Sequence, residues 1–246
     1  VALYMNTDIR WYVGAQAVAC HAKSARFAST CAPLDKTSIC SADGWVELLG
    51  GRKSGSFDLA LMSDMAEGGL DERLFAALGT SGVAQSWSIG SADGSPGYCC
   101  TSLATKYVPV QGAPGELALA AASGVSSGPV ARGMLVHPDT TARTSSSSGT
   151  ARQVGAVSSS QRVYAALHVI SVSGTTPTLE VKVQSDDGSG MATPTDRITF
   201  TAETDATAGY QLLSAVGAIT DDWWRVTWTV GGTDPSFAFA VVLGIG

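Results

Sequence analysis

Positive charge is scarce in this chain. Fifteen Lys and Arg face 21 Asp and Glu, a net charge of −6, and no Lys/Arg cluster occurs. A basic nucleic-acid binder would need one, and the acidic balance excludes that class. Charge of either sign is thin, at 15% of 246 residues, against about 25% in an ordinary domain. Long apolar runs are also absent: none approaches the ~18 residues of a membrane-spanning helix. Asp8 and Arg10 interrupt the first thirteen residues, which lack the basic start and apolar stretch of a secretory leader. Five cysteines, an odd number, leave one unpaired within the chain. No Cys-x-x-Cys pair exists; Cys20, Cys31 and Cys40 stand eleven and nine residues apart, with His21 beside the first. Free thiols are the expectation.

Catalytic patterns are missing as well. Neither a dinucleotide-binding nor a P-loop glycine pattern appears. His21, His137 and His168 stand apart, with no His-Glu-x-x-His. The acidic pairs Asp71-Glu72, Asp186-Asp187 and Asp221-Asp222 are sequential, and sequential residues on a strand face apart. Asp186 to Gly190 (DDGSG) lacks the alternating acidic register and closing Glu of a calcium loop, so it reads as a hairpin turn. No catalytic residue, cofactor or metal is expected.

What is present is β-sheet chemistry: 45% hydrophobic residues and 28 glycines. Strands are expected over 8–13, part of 15–31, 54–62, 83–89, 98–108, 115–122 and 129–136, with a long excursion within 14–44. In 54–62, Phe57, Leu59 and Leu61 alternate against Ser56, Asp58, Ala60 and Met62, the period of a half-buried strand. One helix is expected at about 70–78. Its apolar stripe is Leu70, Leu74, Phe75 and Leu78, with Asp71 and Glu72 in the first turn and Gly79 as a stop. Residues 139–150 (DTTARTSSSSGT) have no aliphatic side chain larger than Ala and read as a linker. They divide the chain into 1–149 and 150–246. The second part reads as strands 152–157, 162–172, 178–184, 195–202, 209–216, 223–230 and 236–243, the spacing of a sandwich or jelly roll. Trp224, Val226, Trp228 and Val230 face its core, and Trp223 faces away. The last strand is apolar on both faces and is expected to be central.

Several segments, in order, resemble the major tail tube protein of long-tailed, non-contractile bacteriophages, in its two-domain form. They are Leu34-Asp35-Lys36-Thr37, the run from Gly44-Trp45 to Ser54-Gly55, and Gly69-Leu70-Asp71-Glu72-Arg73-Leu74-Phe75. Val108-Pro109-Val110 and Gly115-Glu116-Leu117 follow. The second half adds Tyr164 to Val169, Val181 to Asp187, Thr195 to Thr201 and Trp223-Trp224-Arg225-Val226. The resemblance implies a mainly β protein: an N-terminal tail-tube β-sandwich or barrel with one flanking helix, then an Ig-like or jelly-roll-like β-sandwich. It implies a structural virion protein, assembled in the bacterial host cytoplasm into stacked, six-membered rings that conduct the genome. The implied partners are further copies of itself, tape-measure, tail terminator and distal tail proteins, and double-stranded DNA that passes without sequence-specific binding. On this reading Ser54, Ser56, Asp58 and Glu116 line the lumen, and part of 14–44 reaches the neighbouring ring. The second domain sits outside and is dispensable for the wall, with Trp223 making weak contact with host-surface glycans. Two other classes stay open: a carbohydrate-binding β-sandwich without an enzyme, and a hydrolase on a β scaffold, since a glycosidase carboxylate pair is a matter of spatial distance.

Overall fold

Alternation of small or polar with apolar residues runs through the chain, and the structure turns it into hydrogen-bonded strands. The computed structural model describes residues 8–37, 45–204 and 208–246; Val1, Cys40 and the turn at 41–44 lie outside them. The strands of the first part are β1 (Ile9–Val13), β2 (Gln16–Ala17), β3 (Ala22–Asp35) and β4 (Leu48–Met62). The helix α1 (Leu70–Ala77) follows. Then come β5 (Val83–Ile89), β6 (Pro96–Gln111), β7 (Leu119–Ser126) and β8 (Ala131–His137). The stretch expected as a linker holds β9 (Ser147–Ser148), which pairs with β14, and the second part holds β10 (Arg152–Gln153), β11 (Arg162–Asp186), β12 (Thr195–Thr199), β13 (Tyr210–Val216) and β14 (Trp223–Ile245). The fold is mainly β-sheet with one α-helix among the described residues.

The two parts share one hydrogen-bonded sheet. Its central path runs β12-β11-β14-β8-β6-β5-β1-β2, and β3, β4 and β7 branch from β6. The link is β14, whose Val241–Ile245 pair with Arg132–His137 of β8. Here the strands approach so closely that a Cβ on Gly133 would stand 2.0 Å from the Leu243 carbonyl oxygen, so a glycine is required. Pairing therefore crosses the 1–149/150–246 division. The expected strands 162–172 and 178–184 are one strand, β11, and 223–230 and 236–243 are one strand, β14. The two pair antiparallel from Val163↔Ile245 to Asp186↔Trp223.

Three buried clusters follow from this path. Phe57, Leu59, Leu61, Leu70, Leu74 and Trp87 pack in the first part. Trp224, Val226, Trp228, Phe237 and Phe239 pack in the second. Between them lies a thin layer of Tyr12, Cys99, Ala131, Leu135, Ala166, Ala240 and Val242. Adjacent strand residues split between layers as the pleat demands: Cys99 joins the middle layer and Cys100 the first. The last strand is buried on both faces from Phe239 to Leu243, as its composition indicated.

The helix buries Leu70 and Leu74, while Phe75 is 67% exposed. That corrects the four-residue stripe: a two-turn helix on a sheet surface buries only its i, i+4 pair. Tyr107 on β6 donates to Asp71 at 2.7 Å and fixes the first turn.

Candidate functional site

β4 carries the residues expected to line a channel. Phe57, Leu59 and Leu61 are buried, and Ser54 and Asp58 are exposed, with Ser56 partly so. The alternation is real, and it places Ser54, Ser56 and Asp58 on one solvent face. The register extends that face across four strands. Arg26 of β3 pairs with Asp58, Asp58 pairs with Ser123 of β7, and Ser123 pairs with Lys106 of β6. Rows above and below this one hold Ser24, Ala60 and Ala121, then Ala28, Ser56 and Val125. Thr30 and Ser54 close the series, their hydroxyls 2.9 Å apart. A shallow depression of about 420 Å³ lies on the face, lined by Ser24, Arg26, Asp58, Lys106 and Ser123 among others.

Glu116 does not join this face. The strand expected over 115–122 begins at Leu119, and Glu116 sits in the turn before it. Its carboxylate accepts from the Ala113 N–H at 3.2 Å, and its own N–H donates to the Ala113 carbonyl. Pro114 and Gly115 bend the chain there, and the alternation with Leu117 belongs to a turn.

Residues 14–37 are more regular than their composition indicated. A single 3₁₀ turn, Ala19–His21, precedes β3. β3 and β4 then form a long antiparallel arm that runs from Ala22↔Leu61 to Asp35↔Leu48, so 32–35 is strand. Beyond it the Lys36 Nζ stands 2.9 Å from a Glu47 carboxylate oxygen, and the Thr37 hydroxyl accepts from the Glu47 N–H. On the distal half of the arm Leu34, Trp45, Val46, Leu48 and Leu49 are each more than half exposed. Sequence reasoning did not single these out as a surface. The signal was the density of large apolar residues in Trp45-Val46-Glu47-Leu48-Leu49, which lack the polar alternation of a strand with one buried face.

Trp223 is partly buried at the start of β14, opposite Gln153 and Asp186. Its neighbour Trp224 is fully buried and donates its indole N–H to the Gly155 carbonyl at 2.9 Å. The alternation of the two tryptophans was legible, but Trp223 is no fully exposed platform.

Asp186, Asp221, His168 and His137 are taken up in structural contacts. Asp186 accepts the N–H groups of Gly188 and Thr193 at 3.1 and 2.7 Å, which hold its carboxyl below the usual range. Asp221 accepts from Ser185 at 2.6 Å and pairs with Arg197 at 2.9 Å. His168 lies fully buried in the layer between the two parts. Its Nδ1–H donates to the Gly14 carbonyl at 2.6 Å, its Nε2 accepts from the Ser86 hydroxyl at 2.7 Å, and Tyr12 stacks on its ring. Burial pushes its pKa down to about 4. His137 is pushed down to about 3 by burial and by Arg143 beside it. One pattern the sequence reading missed is Gly124-Val-Ser-Ser-Gly128, the spacing of a nucleophile elbow. Ser126 ends β7, its hydroxyl oxygen accepts from the Gly55 N–H at 2.8 Å, and a strand follows instead of a helix. Among the described residues no three His, Cys, Asp or Glu side chains gather where they would hold a metal ion.

No family model and no curated protein matches the chain. Solved structures do. A chain from the virion of a native gene transfer agent particle is 20% identical; the match covers 53% of this chain and 98% of that one, with a TM-score of 0.42. The tube-terminating cap of the anti-feeding prophage is 10% identical over 55% of this chain and 93% of that one, with a TM-score of 0.43. The Dit protein of phage SPP1 is 12% identical over 97% of this chain and 99% of that one, with a TM-score of 0.34. These neighbours come from a virion, a tube-terminating cap and a phage adsorption apparatus.

Proposed function

We propose that this chain is a wall-forming structural protein of a phage-type tail tube, of the non-contractile, long-tailed kind, in which copies close into six-membered rings and stack. The observation that carries the reading is the β3/β4 arm. Isolated exposed apolar residues are ordinary, but a cluster of them is a contact surface. Leu34 and Leu49 pair as exposed apolar residues on this extended two-stranded support, with exposed Leu48 beside them on its other face. Identical copies that each present an arm to a different surface of the next make a heterologous contact, which generates rings or open stacks. The second part, an Ig-like or jelly-roll-like sandwich, lies on the exterior, with Trp223 near its surface. Ser54, Ser56 and Asp58 line the lumen. Glu116 lies at its rim, on the turn before β7. Tape-measure, terminator and distal tail proteins meet the tube, and double-stranded DNA passes through it in a virion assembled in the host cytoplasm.

Negative-stain microscopy of the purified protein tests this. Stacked six-fold rings are expected. Dispersed monomers that are retained on immobilised glycans overturn it in favour of a sugar-binding sandwich.

A further inference from the structure

A cleft of about 660 Å³ opens at the seam between the two parts. One wall is α1 with the turn between β1 and β2. The other is β11 near Ile170, with Tyr210 at the start of β13. Val13, Leu74, Ala77, Val83, Ile170 and Val172 make its apolar lining. Val13, Leu74 and Val83 belong to the buried cluster of the first part, so the cleft reaches down to that core. Two backbone features shape it. Gly14 takes a φ of +56°, and a Cβ there would stand 3.1 Å from the Tyr210 ring, so the ring packs directly on the turn. The β11/β14 register shifts between Val169 and Ser171, an irregularity of the kind that re-aims a side chain beside a site, and Ile170 lies at that shift. Arg73 is the one charged residue lining the cleft among the described residues, and it is exposed. Its Nε donates to the Gly68 carbonyl at 2.9 Å, which anchors the side chain. No described ion pair or further hydrogen bond uses its two Nη groups. The neighbouring carboxylates are spent elsewhere: Glu72 accepts from the Gly68 N–H at 3.0 Å, and Asp71 from Tyr107.

We infer that this cleft binds a single-chain fatty carboxylate, with the hydrocarbon against the apolar lining and the carboxylate on Arg73. The inference goes beyond the tube reading and stands apart from it. The volume is that of a small-molecule site, and such sites are mostly apolar, carry few polar groups and favour the seams between domains. An apolar lining with one unpaired guanidinium and no carboxylate complements a ligand that carries one negative charge at the end of a hydrocarbon chain. The planar guanidinium grips a carboxylate through two parallel N–H bonds, and the two Nη groups supply that fork while Gly68 holds Nε. A sugar finds few partners here. The Gln16 Nε2 donates to the Ala15 carbonyl and the Thr80 hydroxyl to the Ala76 carbonyl, so these polar groups already serve the backbone.

The test is calorimetric titration of the full-length protein with octanoate, decanoate and dodecanoate, each below its micelle concentration. Each two-carbon step should tighten binding about 15-fold, the effect of burying two more methylenes. Decanol, the same chain without the charge, should bind about tenfold more weakly than decanoate, and Arg73→Gln should erase that difference. Ala77→Phe, which fills the cleft, should abolish binding of all three acids. Leu48→Ser/Leu49→Ser, on the β3/β4 arm, should leave binding unchanged. Circular dichroism checks each variant, and Arg73→Gln, at an exposed helical position, keeps the test decisive if Ala77→Phe does not fold. The inference is overturned if dodecanoate does not bind at about 1 mM, if decanol binds as tightly as decanoate, or if the arm variant loses binding. It is also overturned if Ala77→Phe binds decanoate normally but no longer forms rings, which would make the cleft the seat of a neighbouring copy. Microscopy of the same samples separates the two readings. Rings without decanoate binding overturn this inference alone, and decanoate binding without rings overturns only the tube.

Discussion

His168 is held on three sides, and its burial, against the pull of the Gly14 carbonyl, keeps the ring neutral. Nδ1–H is spent on the Gly14 carbonyl, and Nε2 must keep its lone pair to accept from Ser86. Protonation would bury a charge in a layer packed with Tyr12, Leu135 and Val242. Burial accordingly lowers the folded pKa to about 4 from 6.5. The unfolded chain takes up that proton near 6.5, so folding stability is whole above about pH 6.5. It declines as pH falls toward 4, by an order of 3 kcal/mol for such a gap. His137, also depressed, acts in the same direction. Urea unfolding between pH 7.5 and 4.5 should therefore show a falling midpoint. His168→Gln should lose about 1–3 kcal/mol at pH 7.5 through disturbed buried hydrogen bonds, yet flatten the slope. A slope unchanged in the variant would mean that another group sets the acid sensitivity.

The β3/β4 arm, as an element, carries Leu48 and Leu49 more than half exposed. Replacing Leu48 and Leu49 by Ser should leave the melting temperature near the wild type, since exposed positions change stability by within about 0.5 kcal/mol each. The same variant should fail to stack in the microscope; normal-length tubes would assign the tip another role. This element also marks where sequence reading reaches its limit. Residues 54–62 were legible because Phe57, Leu59 and Leu61 pack inward and impose period two. The distal arm has no buried face, so Ala32–Asp35 and Leu48–Lys53 showed no period to read. Ser173-Gly174 and Gly231-Gly232 misled in the opposite way. Their turn chemistry serves irregularities inside the β11/β14 ribbon, where the register shifts between Ser173 and Thr175 and between Thr175 and Thr178. Thr176 and Asp234, like Gly174 and Gly232, take positive φ there, the conformation such bulges use. The row Arg26–Asp58–Ser123–Lys106 was out of reach for another reason: it joins four strands whose order no local pattern reveals.

Across the whole molecule, the decisive feature is that β14 completes the sheet of the first part. A cut near Thr150 falls in a serine-rich stretch that the sequence alone reads as a linker between self-sufficient halves, yet Ser147 and Ser148 pair with Trp228 and Thr227 of β14. The pairing argues otherwise. Removing 150–246 strips β8 of its partner along Arg132–His137, leaves the Ser86 hydroxyl and the Gly14 carbonyl without His168, and uncovers Tyr12, Ala131 and Leu135. Each large apolar side chain brought from burial to water costs roughly 1.5–3 kcal/mol. Two or three of them, with an open sheet edge ready to pair with another chain, match a domain's ordinary stability of about 5–15 kcal/mol. The truncated chain should therefore show a broad or missing thermal transition by circular dichroism, and aggregates instead of a thinner tube by microscopy. Adding the missing 150–246 as a separate polypeptide should restore a cooperative melt if the two share a sheet. A truncated chain that melts cooperatively by itself and assembles would show that the first part closes its own core, and that β14 only braces it.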